Sequence, residues 1–286
     1  MATIAKFSGS EVKFALTDPG TAIAPLFRPL TRGPRPQGLI VNVQHSGHDF
    51  KFTCYEWLDT FDQSILLSII GMAGMGNVPL YPDTTGAIGQ KLWSSLRPAD
   101  SALEAVSVVV STTCYALLSA AGFDDKGRNY QRLNDALYRL SQVGCRVKKD
   151  NYQWSMQMLS FHLDTDLGTV EIALNSRLAH AICGESAQYI RIELDERRAI
   201  KGDTAKVLHS WACVVTNVGQ QSVWLGIDTL CKRVWGVDAK GDALRKRRER
   251  LKEAMAELES QGWKIEKAGA RERLKIRFTR PNVIGH

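Results

Sequence analysis

The sequence predicts a helix-rich α+β fold built as two winged helix-turn-helix domains in tandem. Three observations carry this reading. The order helix, helix, β-hairpin can be followed twice along the chain. A segment of the first half aligns without gaps to one of the second. The length of 286 residues, with 44% hydrophobic content, is enough for one large core or two ordinary ones.

Residues 1–50 are read as a basic, Pro-rich arm and a first strand region. In "APLFRPLTRGPRPQG", Arg28, Arg32 and Arg35 stand among prolines, which disfavours helix and is expected to leave the guanidinium groups exposed. The segment then serves as a linker or as a DNA-tracking arm.

The first winged-helix domain is expected over 51–188. Asp59 can cap a helix running to about Ala73, with Phe61, Ile65, Leu66 and Ile69 on its buried face, and a loop with Pro79 and Pro82 ends that unit. After the β-branched strand "VSVVV" come a short helix from about Thr112 to Ala121 and a longer one from about Arg128 to Val143. The alternating segments "YQWSMQMLSF" and "TVEIAL" flank Asp164-Thr165-Asp166-Leu167-Gly168, which signals the turn of a hairpin.

"LNDALYRLSQVGCRVKK" from Leu133 aligns to "LKEAMAELESQGWKIEK" from Leu251 at a constant offset of 118 residues. Leu133, Ala136, Leu137 and Leu140 match Leu251, Ala254, Met255 and Leu258, and Gly144 matches Gly262. Each copy is a helix with an apolar stripe, a Gly suited to a left-handed C-terminal cap, and a strand beginning at Cys145 or Trp263.

The second winged-helix domain, 189–286, is expected to be the main DNA-reading one. Asp203 can cap a helix that turns Ala205, Leu208, Ala212 and Val215 inward, with His209 and Trp211 as packing residues. Asp228 can cap "IDTLCKRVW", and Gly236 and Gly241 mark the turn before the basic helix. The wing pairs Trp263 to Lys267 with Leu274 to Thr279.

The net charge of +7 is uneven. Asp195 to His286 holds 20 Lys+Arg against 12 Asp+Glu, whereas the remainder holds 17 against 18. A basic C-terminal third suggests a polyanionic partner, and nucleic acid fits better than lipid. Five of the six residues from Arg245 to Arg250 are basic, with Glu249 the one acid, and an apolar stripe follows. A recognition helix has this design: its N-terminal part enters the major groove and its C-terminal part packs against its own domain. The candidate DNA contacts are Arg245, Lys246, Arg247, Arg248 and Arg250, then Lys232 and Arg233 on the preceding helix. On the wing they are Arg271, Arg273, Lys275, Arg277 and Arg280; in the first domain, Arg128, Arg132, Lys148 and Lys149. Steps of about 100° put Leu244, Arg247, Arg248 and Leu251 along one side, leaving Arg245, Lys246 and Arg250 freest to reach DNA.

Other chemistries lack their residues. No G-x-x-x-x-G-K-[ST] loop is present for ATP, and "GMAGMG" at Gly71 to Gly76 follows a helix and fails the dinucleotide spacing, reading instead as a flexible helix end. Tyr130, Tyr138, Tyr152 and Tyr189 have no metal-binding His pair beside them, as a nickase would need. His45 and His48 in "HSGH" read as a loop, and the six dispersed cysteines as free, mostly buried thiols. No metal or cofactor is expected. "SILLSIIGMAGMG" is too short for a membrane span of about 20 residues, and no cationic leader precedes it, so a cytoplasmic protein is expected.

"IDTLCKRVW" (227–235), "RKRRERLKEAMAELESQGW" (245–263), "LFRPLTRG" (26–33) and "TRP" (279–281) resemble the RepC replication initiators of IncQ-type broad-host-range plasmids. The resemblance is strongest over the last 90 or so residues. It implies a non-enzymatic initiator with two winged-helix domains that binds direct repeats (iterons) at a plasmid vegetative origin and opens adjacent A+T-rich DNA. It also implies a plasmid helicase and primase as partners, and raises a homodimer as an inactive form. The family's recognition-helix role falls on Arg245, Lys246, Arg247, Arg248 and Arg250. The alternative from the residues alone is a winged-helix transcriptional repressor that opens no origin.

Overall fold

The computed structural model describes residues 11–31, 33–184, 188–270 and 273–282. Arg32 and Arg271 therefore lie outside the described residues. The chain mixes helix and sheet and divides into two units, Met1–Ala24 with Pro34–Leu194, and Pro25–Gly33 with Asp195–His286.

The first unit runs β1 (Phe14–Thr17), α1 (Pro19–Ile23), β2 (Gln37–His45), β3 (His48–Glu56), α2 (Thr60–Met75), β4 (Val78–Leu80), α3 (Ala87–Ser95) and β5 (Ala99–Asp100). It continues β6 (Ser107–Thr113), α4 (Cys114–Ala120), α5 (Gly127–Ser141), β7 (Gly144–Lys149), β8 (Tyr152–Gln157), β9 (Leu159–Asp164), β10 (Thr169–Leu174), α6 (Ser176–Cys183) and β11 (Ile190–Glu193). Its antiparallel sheets have the orders β2-β3-β7-β8-β5, β4-β6-β10-β9 and β1-β11.

Helix α2 starts on a capping box: Asp59 accepts from the Phe61 and Asp62 amides, and Asp62 accepts from the Asp59 amide at 2.9 Å. It is buried on nearly every side, and Gly71 in its middle is required by space, since an added Cβ would lie 2.5 Å from Val12 and 2.9 Å from the Phe14 carbonyl. Gly71–Ala73 of the expected flexible end are therefore tightly packed, while Gly74 and Met75 beyond them are exposed. Asp62 is fully buried and receives Arg139 at 2.8 Å and Arg35 at 3.2 Å. Burial raises the Asp62 pKa, the neighbouring Asp59 adds to this, and Arg139 and Arg35 act against it.

Helices α2, α4 and α5 pack together, and the hairpin that follows them is β7–β8, not the one the sequence pattern suggested. The alternating stretch "YQWSMQMLSF" is two strands: β8 pairs with β7, whereas β9, beyond Met158, pairs with β10 in another sheet. The predicted turn at 164–168 does close β9–β10, with Asp164 opposite Thr169. Gly144 also departs from its expected role, because it opens β7 where a Cβ would lie 2.7 Å from Thr53 Oγ1.

The second unit comprises α7 (Leu194–Ala199, from Asp195 on), α8 (Asp203–Val215), β12 (Leu225–Gly226), α9 (Ile227–Trp235), α10 (Gly241–Ser260), β13 (Lys264–Ala268) and β14 (Lys275–Thr279), in a sheet ordered β12-β14-β13. Leu251, Ala254, Met255 and Leu258 of α10 are buried as the stripe required, and α8 and α9 pack against this helix. Neither α8 nor α9 takes its expected Asp cap; both begin after a Gly with no capping side chain of its own. Glu257 of α10 instead accepts from the Lys201 and Gly202 amides, both at 3.0 Å, so one helix supplies the anion at the start of another.

The unit division differs from the expected one at both ends of the arm. Residues 34–50 belong to the first unit and carry β2 and the start of β3, and Pro25–Gly33 belongs to the second. Leu26 and Phe27 are buried, and so is Arg28, contrary to the exposure expected of it. Arg35 is also committed, paired with Asp59 at 2.5 Å and Asp62. Proline barred helix here, but apolar neighbours and carboxylates still drew the arginines inward. No helix among the described residues is long and apolar enough to cross a membrane.

Candidate nucleic-acid interface

In the second unit, the Ile227 amide, at the start of α9, donates to the Leu274 carbonyl at 3.0 Å, and Leu230, Cys231, Val234 and Trp235 are buried. The helix ends on left-handed Gly236 (φ +69), whose amide donates to the Lys232 carbonyl. The Arg28 guanidinium lies directly against this glycine, 2.4 Å from where a Cβ would be. A second left-handed glycine, Gly241 (φ +56), turns the chain into α10. These two positions set the angle at which the basic end of α10 leaves the core.

Along that end the arginines divide. Arg248 forms two bonds of 2.7 Å to Asp228, fastening α10 to α9, which is why Asp228 is not a cap. Arg247 donates to the Val237 carbonyl at 2.7 Å, and its guanidinium lies 5.3 Å from the Trp235 ring centroid, bracing the turn. Arg245, Lys246 and Arg250 are exposed. Arg245 bridges Asp242 (2.6 Å) and Glu249 (2.8 Å), and Lys246 pairs with Asp242 at 3.1 Å. Charge balance at this end is therefore better than the run 245–250 suggested, because Asp242 lies just upstream of it. Hydrogen bonding from Arg245 and Lys246 holds the Asp242 carboxyl below its usual pKa, so it stays an anionic partner of both cations. Arg250 makes no ion pair among the described residues.

An open groove of about 600 Å³ lies between α10 and the wing, lined by Arg245, Arg248, Glu249, Lys252 and Arg273. Lys252 escaped the sequence reading because it lies outside the dense run. Its signal was helical spacing, since it follows Arg245 by two turns. On the wing, Arg273 and Lys275 are exposed. Arg277 is largely committed, paired with Glu266 at 2.5 Å and lying over Trp224 at 4.7 Å. Lys232, on the exposed side of α9, pairs with Asp238 at 3.0 Å, and Arg233 is half-buried.

Arg280 does not belong with these residues. It is buried, donates to the Thr216 carbonyl at 3.4 Å, and lies 6.0 Å from the Trp263 ring. Trp263 is the centre of a polar lock under the wing: its Nε1–H donates to Glu196 Oε2 at 3.0 Å, which also meets His209 Nε2 at 2.9 Å. His209 is fully buried, which works against its charged form. The Cys213 sulfur at 3.8 Å and the Glu196 carboxylate outweigh that, and its pKa is pushed up to about 9. Glu196 is lowered despite its own burial, because it accepts from both rings.

In the first unit, Arg128 and Arg132 are exposed on α5, and Lys148 and Lys149 on β7. The Arg132 guanidinium stacks 4.0 Å over the Phe61 ring. Lys51 of β3 and Arg146 of β7, neither selected from the sequence, are opposite one another in register and both exposed.

Comparison with known families matches residues 9–282 to the family described as Replication protein C (RepC). Comparison with curated protein sequences finds no match. Among solved structures, a crystal structure of selenomethionine derivatives of domains 2 and 3 of RctB is similar, with TM-score 0.54 and 10% identity over 92% of this chain and 97% of that one. A second, of RctB domains 2–3, gives TM-score 0.47 and 11% identity over 91% and 95%. The first likeness is one of fold.

Proposed function

The chain belongs to the replication protein C (RepC) family, and from that premise we propose that it initiates plasmid replication by binding iterons at a vegetative origin. It melts the adjacent A+T-rich DNA without nucleotide hydrolysis, as a non-enzymatic cytoplasmic protein. Each unit acts as a winged helix-turn-helix, with α5 and α10 as the helices offered to the major groove and β7–β8 and β13–β14 as the wings. The observation that carries the reading is the division of α10: its C-terminal half buries the stripe Leu251, Ala254, Met255 and Leu258, while Arg245, Lys246 and Arg250 project from its other end. Lys252, Arg273 and Lys275 supply phosphate contacts on the wing side. A helicase and a primase act on the opened strand, and a homodimer holds the inactive form.

Opening without ATP draws on binding energy, by bending the repeats and passing strain into a weak A+T segment. The test is permanganate probing of a supercoiled origin with the full-length protein. Reactive thymines beside the bound repeats are the expected result. Site-specific binding with no reactive thymines would leave only a repressor, and a covalent protein–DNA adduct would mean a nickase.

A further inference from the structure

The repeat places α5 and α10 in one frame. Arg128 stands where Lys246 does, Gln131 where Glu249 does, Arg132 where Arg250 does, and Asn134 where Lys252 does. At about 100° per residue, Gln131 lies on the side of α5 opposite the buried Leu133, Ala136, Leu137 and Leu140, and Asn134 about 60° round from it, on the flank nearer Leu137. Both are exposed, and among the described residues neither side chain has a hydrogen-bond partner. Two of their polar neighbours differ: Tyr130 donates to Asp125 at 2.8 Å, and Arg132 is tethered over Phe61.

A free carboxamide carries one donor edge and one acceptor edge, the complement of adenine N7 and N6–H in the major groove. Side chains three residues apart on a helix are about 5–6 Å apart, a separation that neighbouring base pairs can meet. Helix α5 lacks the cation density of α10, so affinity from charge is smaller there and discrimination has to come from base edges. We propose that Gln131 and Asn134 read adenines, which makes the first unit a source of A·T specificity as well as of phosphate contacts. This rests on the reading above that α5 meets the major groove of DNA. Assigning α5 to phosphate positioning alone covers its arginines and leaves both amides without a role.

The test is selection of duplexes from a random-sequence pool by the full-length protein, and by its Q131A, N134A and Q131E variants. Thermal unfolding confirms that each variant is folded. Loss of about tenfold preference at one A·T position per alanine variant, with the remaining positions intact, is expected. Q131E keeps the shape but exchanges the donor for an acceptor, so its selected adenine changes to cytosine, a switch that a merely structural role could not produce. Selected sequences unchanged in all three variants would overturn the assignment while leaving the protein a specific DNA binder. A wild-type protein that selects no sequence would instead sink the proposed function itself.

Discussion

Replacing Glu196 by Gln tests the lock beneath the wing. The substitution keeps an acceptor for Trp263 Nε1–H but removes the charge beside His209, which is fully buried and 2.9 Å away. Among the described residues, His209 Nδ1 has no partner, so the protonated ring is held through Nε2 alone. With a folded pKa of about 9 against about 6.5 unfolded, and about 1.4 kcal/mol per unit, protonation contributes about 3 kcal/mol. The folded value is the raised one, so this contribution is complete below pH 6.5 and disappears as pH rises through 9. Glu196 has the opposite sign: its pKa is lowered, so its contribution is present above about pH 4.5 and is lost on further acidification.

Stability of the wild-type second unit should therefore fall from pH 6.5 to 9, and the Glu196→Gln protein should show a shallower slope and lose at pH 6 the part of the about 3 kcal/mol that Glu196 supplies, Cys213 retaining the rest. An NMR titration of the His209 ring in the full-length chain reads the pKa directly, and urea unfolding followed by tryptophan fluorescence reads the slope. A His209 that titrates near 6.5, or parallel stability curves for the two proteins, would refute the reasoning.

Arg139→Ala leaves the buried Asp62 carboxylate without its nearest arginine and should cost about 3–5 kcal/mol by urea denaturation, with Asp62→Asn restoring part of it. Gly236→Ala forces a side chain to φ +69 against the Arg28 guanidinium; a loss of at least about 1–2 kcal/mol is expected in a thermal melt. Arg245→Ala and Arg250→Ala should each relax preference at a guanine, and Lys246→Ala should mainly lower the salt slope by about one, in titrations across single-base variants of the site. Arg132→Ala should weaken binding equally on matched and mutated sites, since its guanidinium positions backbone from over Phe61; loss confined to one base pair would contradict this.

What periodicity controls was legible. The stripe of α10, the Asp59 cap and the glycines at 236 and 241 follow from local sequence, because each depends on residues within a turn or two. What partners control was not. Asp228 resembles a cap until Arg248, twenty residues on, takes both its oxygens, and α8 is capped by Glu257 from a helix that local reading cannot bring near. The alternation slips at Met158-Leu159, two apolar residues in succession, where the chain changes sheets, but a period of two records which face is buried and says nothing about which neighbour supplies it. In the interface, the exposure of Arg245, Lys246 and Arg250 came from helical geometry alone. The burial of Arg280 required the Trp263 ring, and Arg28 required a glycine two hundred residues away.

The second unit is completed by nine residues, Pro25–Gly33, that leave the ribosome before residues 34–194 and long before Asp195. Leu26, Phe27 and Arg28 must therefore wait without their core while the whole first unit is synthesised, and three chain crossings, at 24/25, 33/34 and 194/195, mean that no single cut yields either unit complete. A fragment starting at 195 would carry every residue of α10 yet have a hole where Leu26 sits and an unsupported turn at Gly236. Excising the DNA-reading unit for separate work thus calls for a circularly rearranged gene in which 25–33 is joined to 195–286 through a linker. The same topology delays completion of this unit until residues beyond Asp195 have been made, so a chain cut short between residues 33 and 195 carries three large side chains still without their partners.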